Sequence, residues 1–355
     1  MPAFAAIDVG THTVRLLVAE AEGPGRFRVL YEDQVITRLG EGFRATRTLG
    51  REPMRRTIEV VARFAEAARS FGVGAGALAA VGTAAARDAR NGTEFRGELE
   101  RAAGVPIDLL AGEEEAGLML GGVLHGLGLR HERLLVMDVG GGSAEFVLAA
   151  GGAPEKLVSV RLGVVALTER YLKCDPPRSW ELLKLEGAIA EQFDDLRDRL
   201  GEVRGRLCAG TAGTVTTLAA IDMGLREYDA RRVNGYRLYL RRLTELYRWL
   251  ARMTVESRRR VPGLEPGRAD LIVAGAAILL RAMEALGFSE LKVSDAGLRE
   301  GVLLSRMERV LGPAAPRPPL EAAEAAVAAE HGPGPFPPPP APVPVGGDSG
   351  AAPAE

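Results

Sequence analysis

The chain contains one short motif twice, as IDVGTHTVR at residues 7–15 and as MDVGGGSAE at residues 137–145. An ungapped alignment pairs Asp8 with Asp138, Gly10 with Gly140, Thr13 with Ser143, and Arg15 with Glu145. Each copy lies between two short apolar runs, which predicts a strand, a glycine turn and a second strand. Two such units about 130 residues apart indicate duplicated domains facing a shared cleft. A chance similarity of two glycine-rich hairpins is the alternative.

Helical and strand patterns alternate along the rest of the chain. Helices are predicted over residues 53–71, 113–124, 163–172, 179–200, 238–253, 268–286 and 296–311. Short apolar runs predict strands at residues 78–81, 206–209 and 292–294. We therefore expect an α/β protein with two domains, residues 1–122 and 123–311.

Composition excludes several classes of protein. The chain has 355 residues and a formal net charge of −2, which gives no support to a globally basic nucleic-acid binder. Its two cysteines and four scattered histidines provide neither a disulfide framework nor zinc-ligand spacing. The longest uncharged runs are too short and too polar for a bilayer span, and the start of the chain lacks a signal-peptide pattern. We expect a cytoplasmic protein with no nucleic-acid or membrane partner.

Residues 312–355 differ from the rest in composition. They are rich in proline, alanine and glycine and almost free of large apolar side chains. Such a segment cannot bury enough surface to offset its ordering entropy, so we expect a disordered tail. A proline-rich docking motif is the alternative to a dispensable tail.

The first copy of the motif carries groups that bind anions. Gly10 allows a tight turn whose backbone N–H groups can form an anion nest, and Thr11 and Thr13 add hydroxyl donors. Asp8 would repel a bare phosphate, so its presence is explained by a divalent cation or an attacking water. A hairpin turn closed by an Asx-type hydrogen bond is the alternative.

The second copy is the stronger signal because it contains three consecutive glycines, Gly140, Gly141 and Gly142. Consecutive glycines cost backbone entropy and fit poorly inside a strand, so something must approach this backbone closely. A cradled phosphate accounts for that approach. Asp138 and Glu145 flank the loop and could hold a Mg²⁺ that bridges phosphate oxygens. A plain glycine loop is the alternative.

Glu115 is the third signal. It follows two other glutamates in GEEEAGLM, residues 112–119, and a helix start favours acidic residues for its dipole alone. Glu115 differs from its neighbours because Leu118, Met119, Gly122 and Val123 place it at the head of the apolar stripe. A carboxylate on that face needs a partner or a function. If the stripe opens on the cleft, Glu115 is the candidate general base for a nucleophilic water.

Two further turns are weaker candidates for phosphate contacts. Thr83 and Arg87 lie at a predicted strand-to-helix turn, where Arg87 could bind phosphate or lie on a solvated face. Gly213 and Thr214 belong to a hydroxyl-rich turn whose alternative role is helix capping.

One stretch of the chain is strongly basic. Residues 226–260 contain eleven arginines and four acidic residues, a local excess of seven positive charges. A solvated helix face is the default explanation, and a track for a long polyanion is the alternative.

Taken together, these motifs resemble the exopolyphosphatase / guanosine pentaphosphate phosphohydrolase (Ppx/GppA) family, within the actin–hexokinase–Hsp70 superfamily. The resemblance runs from about residue 5 to about residue 311. It also includes RLG at residues 161–163, PGL at 262–264, RAD at 268–270 and SDAGLREG at 294–301. It implies two duplicated actin-like domains flanking a cleft. The chain looks like the short, two-domain form of the family.

The resemblance assigns roles within this sequence. Glu115 would activate water, with Asp138 and Glu145 as further catalytic residues. The implied metal ligands are Asp8, Asp138 and Glu145, for Mg²⁺ or alternatively Mn²⁺. The implied phosphate-binding residues are Gly10, Thr11, His12, Thr13, Arg15, Thr83, Arg87, Gly140, Gly141, Gly142, Ser143, Gly213 and Thr214. His12 stands where the usual first loop of the family has Asn, so an imidazole replaces the side-chain amide and whatever contact that amide makes.

The expected activity is Mg²⁺-dependent release of the terminal phosphate from inorganic polyphosphate, with shorter chains preferred because the short form lacks further helical domains. Hydrolysis of guanosine pentaphosphate uses the same chemistry and is the main alternative. A non-hydrolytic polyphosphate or alarmone sensor and a kinase of the same superfamily are more distant alternatives. A homodimer is left open.

Overall fold

The computed structural model describes residues 1–129, 132–203 and 205–312. Within these ranges the chain forms two mixed β-sheets. The first contains β1 (Ala3–Val9), β2 (Thr13–Gly23), β3 (Arg26–Ile36), β4 (Leu78–Gly82) and β5 (Ile107–Leu109). The second contains β6 (Leu134–Val139), β7 (Ala144–Ala150), β8 (Ala153–Val160), β9 (Leu207–Thr211), β10 (Arg237–Tyr239) and β11 (Glu290–Val293).

Helices connect and cover the strands. In chain order they are α1 (Phe43–Thr46), α2 (Arg51–Ser70), α3 (Ala84–Asp88), α4 (Gly92–Ala103), α5 (Gly112–Leu127), α6 (Val164–Tyr171), α7 (Ser179–Leu200), α8 (Ala212–Asp222), α9 (Ala230–Val233), α10 (Leu240–Ala251), α11 (Val255–Arg258), α12 (Ile272–Leu286) and α13 (Leu298–Leu311). Two short 3₁₀ turns lie at Ala75–Ala77 and Pro266–Arg268. No helix in the described ranges is long and apolar enough to cross a membrane.

The two sheets repeat one topology. The first has the strand order β3-β2-β1-β4-β5, and the second has β8-β7-β6-β9-β11 with β10 added at its edge. In both, the first three strands are antiparallel and the next pairings are parallel. The repeated motif occupies the same hairpin, because Asp8 pairs with Arg15 as Asp138 pairs with Glu145. The predicted α/β class and the predicted duplication of the strand–turn–strand unit are confirmed.

The equivalent hydrogen bond also closes both hairpins. The Gly10 N–H donates to the Thr13 carbonyl at 3.1 Å, and the Gly140 N–H donates to the Ser143 carbonyl at 3.0 Å. The ungapped alignment of the two motifs is therefore correct in three dimensions as well as in sequence.

Most predicted elements are present, with shifted boundaries. The prediction for α7 matches the structure, whereas the helix predicted over residues 238–253 begins too early, because Arg237–Tyr239 pairs with β11 as strand β10. The helix predicted from residue 268 starts at Ile272, since the 3₁₀ turn Pro266–Arg268 precedes it. Strands β3 and β8 were not predicted from the sequence, because many of their residues are polar and exposed.

Helices α5 and α13 form a shared layer between the sheets. One apolar cluster contains Phe4 from the first sheet, Val136 from the second, Val123 from α5 and Leu303 from α13. Residues Met1–Ala314 form one compact unit. The predicted boundary between residues 122 and 123 falls inside α5, and the division into two domains stays a prediction. Apart from Gly312, the predicted disordered tail at residues 312–355 lies outside the described residues.

Glycines bring the backbones of α5 and α13 into direct contact. A Cβ atom on Gly122 would collide with the carbonyl oxygen of Gly297, and one on Gly301 would collide with the carbonyl of Leu118. No side chain fits at either position without moving a helix. This contact fixes α5, and with it the position of Glu115 in its first turn.

Two neighbouring glycines of α5 test this contact. Gly122→Ala is expected to destabilise the protein by about 1–3 kcal/mol, because the added methyl group overpacks a backbone contact. Gly121→Ala is the matched control, since a Cβ there meets nothing; its higher helix propensity should add about 0.5–1 kcal/mol. Urea unfolding measures both changes, and equal effects of the two substitutions would contradict the close packing.

Candidate active site

A cleft of about 620 Å³ contains both copies of the repeated motif. The predicted site residues that line it are Asp8, Gly10, Thr11, His12, Thr13, Arg15, Thr83, Glu115, Asp138, Gly140, Gly141, Gly142, Ser143, Glu145, Gly213 and Thr214. They come from both sheets and from the starts of α5 and α8. The structure thus brings together residues as far apart in sequence as Asp8 and Thr214, and their individual roles stay predictions.

The two glycine turns touch each other. A Cβ on Gly141 would lie 3.2 Å from the Cβ atoms of Thr11 and His12, and one on Gly142 would lie 2.5 Å from Thr11 Oγ1. Part of what approaches the glycine backbone closely, as the sequence predicts, is therefore the first loop itself.

The start of helix α6 is hydrogen-bonded to the second loop, residues 140–143. The N–H groups of Val164 and Val165 donate to the carbonyls of Gly140 and Gly141, each at 3.1 Å. Gly163 must be small because a Cβ there would collide with the loop backbone. These bonds satisfy the carbonyls of Gly140 and Gly141 and fix the loop against the helix.

Four of the carboxylates that line the cleft, those of Asp8, Glu115, Asp138 and Glu145, interact with one another. Burial raises the pKa of Asp8 and of Asp138 to about 6, and burial together with repulsion from Asp138 raises that of Glu145 to about 8. Burial, followed by repulsion from the other three, holds the pKa of Glu115 well above its usual range. The cleft therefore favours either bound protons or a bound cation.

Several polar atoms of this cluster lack hydrogen-bond partners among the described residues. They include Asp8 Oδ1, Thr11 Oγ1 and Glu115 Oε2, all buried. Glu145 does have one, since Ser159 Oγ donates to its Oε1 at 2.9 Å. Buried polar groups are normally paired in native proteins, so these atoms mark where a polar ligand would bind.

Arg87 is the predicted site residue that does not line the cleft. Its Nη1 donates to the Leu110 carbonyl at 2.8 Å and its Nε to Asp88 Oδ1 at 2.9 Å. The same Nη1 lies 3.5 Å from Glu115 Oε2. The structure therefore places Arg87 beside the candidate base instead of beside the phosphate loops, and its predicted phosphate contact stays a prediction.

Arg268 lines the cleft and was not singled out from the sequence as a functional residue. Its Nη2 donates to Thr13 Oγ1 at 3.3 Å and its Nε to Glu265 Oε2 at 2.7 Å. Its guanidinium also lies directly over Gly213, where a Cβ would collide with it. The only sequence signal was its place in the RAD motif at residues 268–270.

His12 lies near two arginines. Burial and the nearby charges of Arg268 and Arg38 lower its pKa to about 3, so its imidazole is neutral at physiological pH. Its Nε2 is buried and has no hydrogen-bond partner among the described residues. A neutral ring adds no charge to phosphate binding.

The start of α8 is strained. Ala212, its first residue, has a φ of 71°, in the left-handed region that L-residues with a Cβ avoid. Gly213 and Thr214 follow and line the cleft. The free N–H groups of a helix start bind anions well, and strain of this kind is common at ligand sites.

The basic stretch at residues 226–260 is divided among several uses. Arg226 lines the cleft. Arg242 forms ion pairs with Asp222 and Glu245. Arg258 is buried and donates to three backbone carbonyls. Part of the positive charge of residues 226–260 is thus used in contacts within the protein.

The Ppx/GppA phosphatase family matches residues 17–310 of the chain. The chain belongs to this family. Exopolyphosphatase 2 of Mycobacterium tuberculosis is 32% identical over 315 residues, which cover 85% of this chain and 97% of the relative. Exopolyphosphatase 1 of Mycobacterium bovis is 29% identical over 303 residues, covering 85% and 87%. The resemblance drawn from the motifs is confirmed.

A solved structure extends this comparison to three dimensions. The crystal structure of the Aquifex aeolicus member of the Ppx/GppA family is 30% identical, with a TM-score of 0.74, over 87% of this chain and 98% of that one. Membership of the Ppx/GppA family makes the chain an enzyme, a hydrolase.

The strain at Ala212 gives a prediction with opposite signs for two similar changes. Ala212→Gly should stabilise the protein by about 1 kcal/mol, because glycine adopts this φ without the cost paid by a Cβ. Ala219→Gly, inside the same helix, should destabilise it by about 1 kcal/mol or more through lower helix propensity. Urea unfolding reports both, and a loss of stability in Ala212→Gly would contradict the strain.

Proposed function

We propose that this Ppx/GppA hydrolase is an exopolyphosphatase, which releases orthophosphate from the end of an inorganic polyphosphate chain. The observation that carries the proposal is Glu115, a largely buried carboxylate (13% of its side chain is exposed), in a cleft lined by the phosphate-type loops of both sheets. Two relatives with this activity in their names match over most of the chain.

In this proposal Glu115 accepts a proton from the attacking water. Water oxygen forms the new bond to the terminal phosphorus, the bridging P–O bond breaks, and the shortened chain leaves with the bonding electrons. The raised pKa of Glu115 suits this role, because a carboxylate with a higher pKa is a stronger base. Arg87, 3.5 Å from Oε2, offsets part of the repulsion from the other carboxylates.

The phosphate chain would be held by groups from both halves of the molecule. Backbone N–H groups in the turns at Gly10–Thr13 and Gly140–Ser143 and at the start of α8 would act as donors. Thr13, Ser143 and Arg268 add side-chain donors. Phosphoryl transfer depends mainly on positioning and on electrostatic stabilisation, and this donor set supplies both.

We also propose that the enzyme uses Mg²⁺, with Mn²⁺ as the alternative. No three His, Cys, Asp or Glu side chains of the described residues are grouped closely enough to hold an ion by themselves. Mg²⁺ usually takes one or two carboxylates and completes its shell with waters and substrate phosphates, so one or two of Asp8, Asp138 and Glu145 would be enough to hold it. The unpartnered Asp8 Oδ1 is one such donor. The bound ion would neutralise charge on the phosphate oxygens.

We expect short chains to be preferred. A cleft of about 620 Å³ falls in the range that holds a single small ligand.

One observation favours guanosine pentaphosphate as a second candidate substrate. Tyr228 lines the cleft with 52% of its surface exposed, and its hydroxyl is hydrogen-bonded to Asp295. An inorganic phosphate chain has no flat apolar face, whereas a nucleobase can stack on such a ring. Both substrates would use the same hydrolytic groups.

The role of Glu115 is tested by Glu115→Gln, which keeps the shape of the side chain and removes the base. Phosphate release from tripolyphosphate is expected to fall by about 10²–10⁴-fold, while calorimetry should show substrate binding largely intact. Glu113→Gln is the matched control, since Glu113 is an exposed residue of the same helix turn. Near wild-type turnover in Glu115→Gln would refute the assignment.

The second candidate is tested by Tyr228→Ala with Tyr228→Phe as control. If a base stacks on this ring, kcat/KM for guanosine pentaphosphate should fall about tenfold in Tyr228→Ala and stay near wild type in Tyr228→Phe. Tripolyphosphate hydrolysis, measured beside it, should change little in either variant. Equal losses on both substrates would exclude base stacking at Tyr228.

A further inference from the structure

A segment of the second half of the molecule reaches across the cleft to the first loop. It runs from Glu265 through the 3₁₀ turn Pro266–Arg268 to Asp270, just before α12. Gly267 packs against the end of β3 so closely that a Cβ there would collide with the Ile36 side chain. This segment, residues 265–270, is called the crossing segment below.

Arg38 binds the crossing segment with three hydrogen bonds. Its Nη1 donates to Asp270 Oδ2 at 2.7 Å, and its Nη2 donates to Asp270 Oδ1 at 3.1 Å and to the Gly267 carbonyl at 3.0 Å. A forked pair of this kind fixes orientation as well as distance. The guanidinium therefore holds two points of the crossing segment at once.

The backbone of Arg38 is tied to the first phosphate loop. The N–H groups of Thr37 and Arg38 both donate to the His12 carbonyl at 3.0 Å. Arg38 adopts a φ of 52°, a conformation that is unfavourable for a residue with a Cβ. The surroundings must hold this strained conformation, as is common where geometry serves a site.

The crossing segment carries Arg268 into the cleft. Arg268 contacts Thr13 of the first loop, and Glu265 of the same segment holds its Nε. Loop 10–13, Arg38 and the crossing segment thus form a closed ring of contacts, in which Arg38 is the link opposite Arg268.

Stability is not the main effect of the ion pair. The side chains of Arg38 and Asp270 are 37% and 31% exposed, and ion pairs this open to solvent add little to folding. What the pair can do is fix the direction in which the crossing segment presents Arg268.

We propose that Arg38 and Asp270 are positioning residues, which hold Arg268 in the cleft as a ligand for substrate phosphate. The proposal rests on the proposed function, because it takes oligophosphate as the ligand. It makes the affinity for phosphate depend on a pair that does not itself touch substrate.

The test measures the dissociation constant of tripolyphosphate by calorimetry and, in the same samples, kcat for phosphate release. Arg38→Ala should weaken binding at least tenfold with kcat within about twofold of wild type, and Asp270→Asn should give a smaller change in the same direction. Arg38→Lys keeps the charge but not the forked pair of hydrogen bonds, so its dissociation constant should lie between those of Arg38→Ala and wild type. Arg55→Ala, in an exposed ion pair with Glu52 and Glu59, should bind as wild type.

The decisive arm is a double-mutant cycle with Arg268→Ala. If Arg38 acts through Arg268, adding Arg38→Ala to Arg268→Ala should change binding less than twofold. A full tenfold loss of affinity when Arg38→Ala is added to Arg268→Ala would overturn the proposal. Unchanged binding by Arg38→Ala alone would also overturn it. So would tighter binding by Arg38→Ala, which is the result expected if the ion pair kept substrate out. If binding follows the expected pattern but neither the wild type nor any variant releases phosphate, the proposed function is wrong and the positioning role of Arg38 and Asp270 is retained.

Discussion

Asp8, Glu115, Asp138 and Glu145 lie together at the cleft, where burial raises the pKa of each carboxyl group and repulsion within the group raises those of Glu115, Asp138 and Glu145 further. Such a cluster costs folding free energy, because both desolvation and repulsion oppose charge. The same cluster is useful to an enzyme that must bind a cation and take a proton from water. The rest of the structure keeps these groups in place against their repulsion.

That support comes from tight backbone packing around the cleft. Each half supplies one strand–turn–strand unit, and the two turns meet at Gly141 and Gly142. Helices α5 and α13 touch through Gly122 and Gly301, which sets the start of α5 between the sheets. Three extensive apolar clusters stabilise this arrangement. The strained φ angle of Ala212 occurs in the lining of the cleft, and that of Arg38 occurs where its N–H donates to the carbonyl of His12 in the first loop.

The sequence was most informative where function depends on local motifs. The two hairpins could be aligned from their letters alone, because Asp, Gly and a hydroxyl residue recur at fixed spacing. The position of Glu115 followed from the apolar stripe behind it. Residues whose importance arises from distant contacts were not recognisable, since Arg268 meets Thr13 across 255 positions and Arg38 meets Asp270 across 232. Strand β10 was hidden because its pairing with β11, far along the chain, overrides a helical pattern.

In the proposed reaction, loops from both sheets hold one phosphate chain while Glu115 faces its end. The most direct measurement is a crystal structure of the Glu115→Gln variant with Mg²⁺ and tripolyphosphate. We expect a terminal phosphate between the turns at Gly10–Thr13 and Gly140–Ser143, with residue 115 in hydrogen-bond reach of a water in line with the scissile bond. A phosphate chain bound elsewhere, or in contact with one loop alone, would show that the two loops do not form a single binding site.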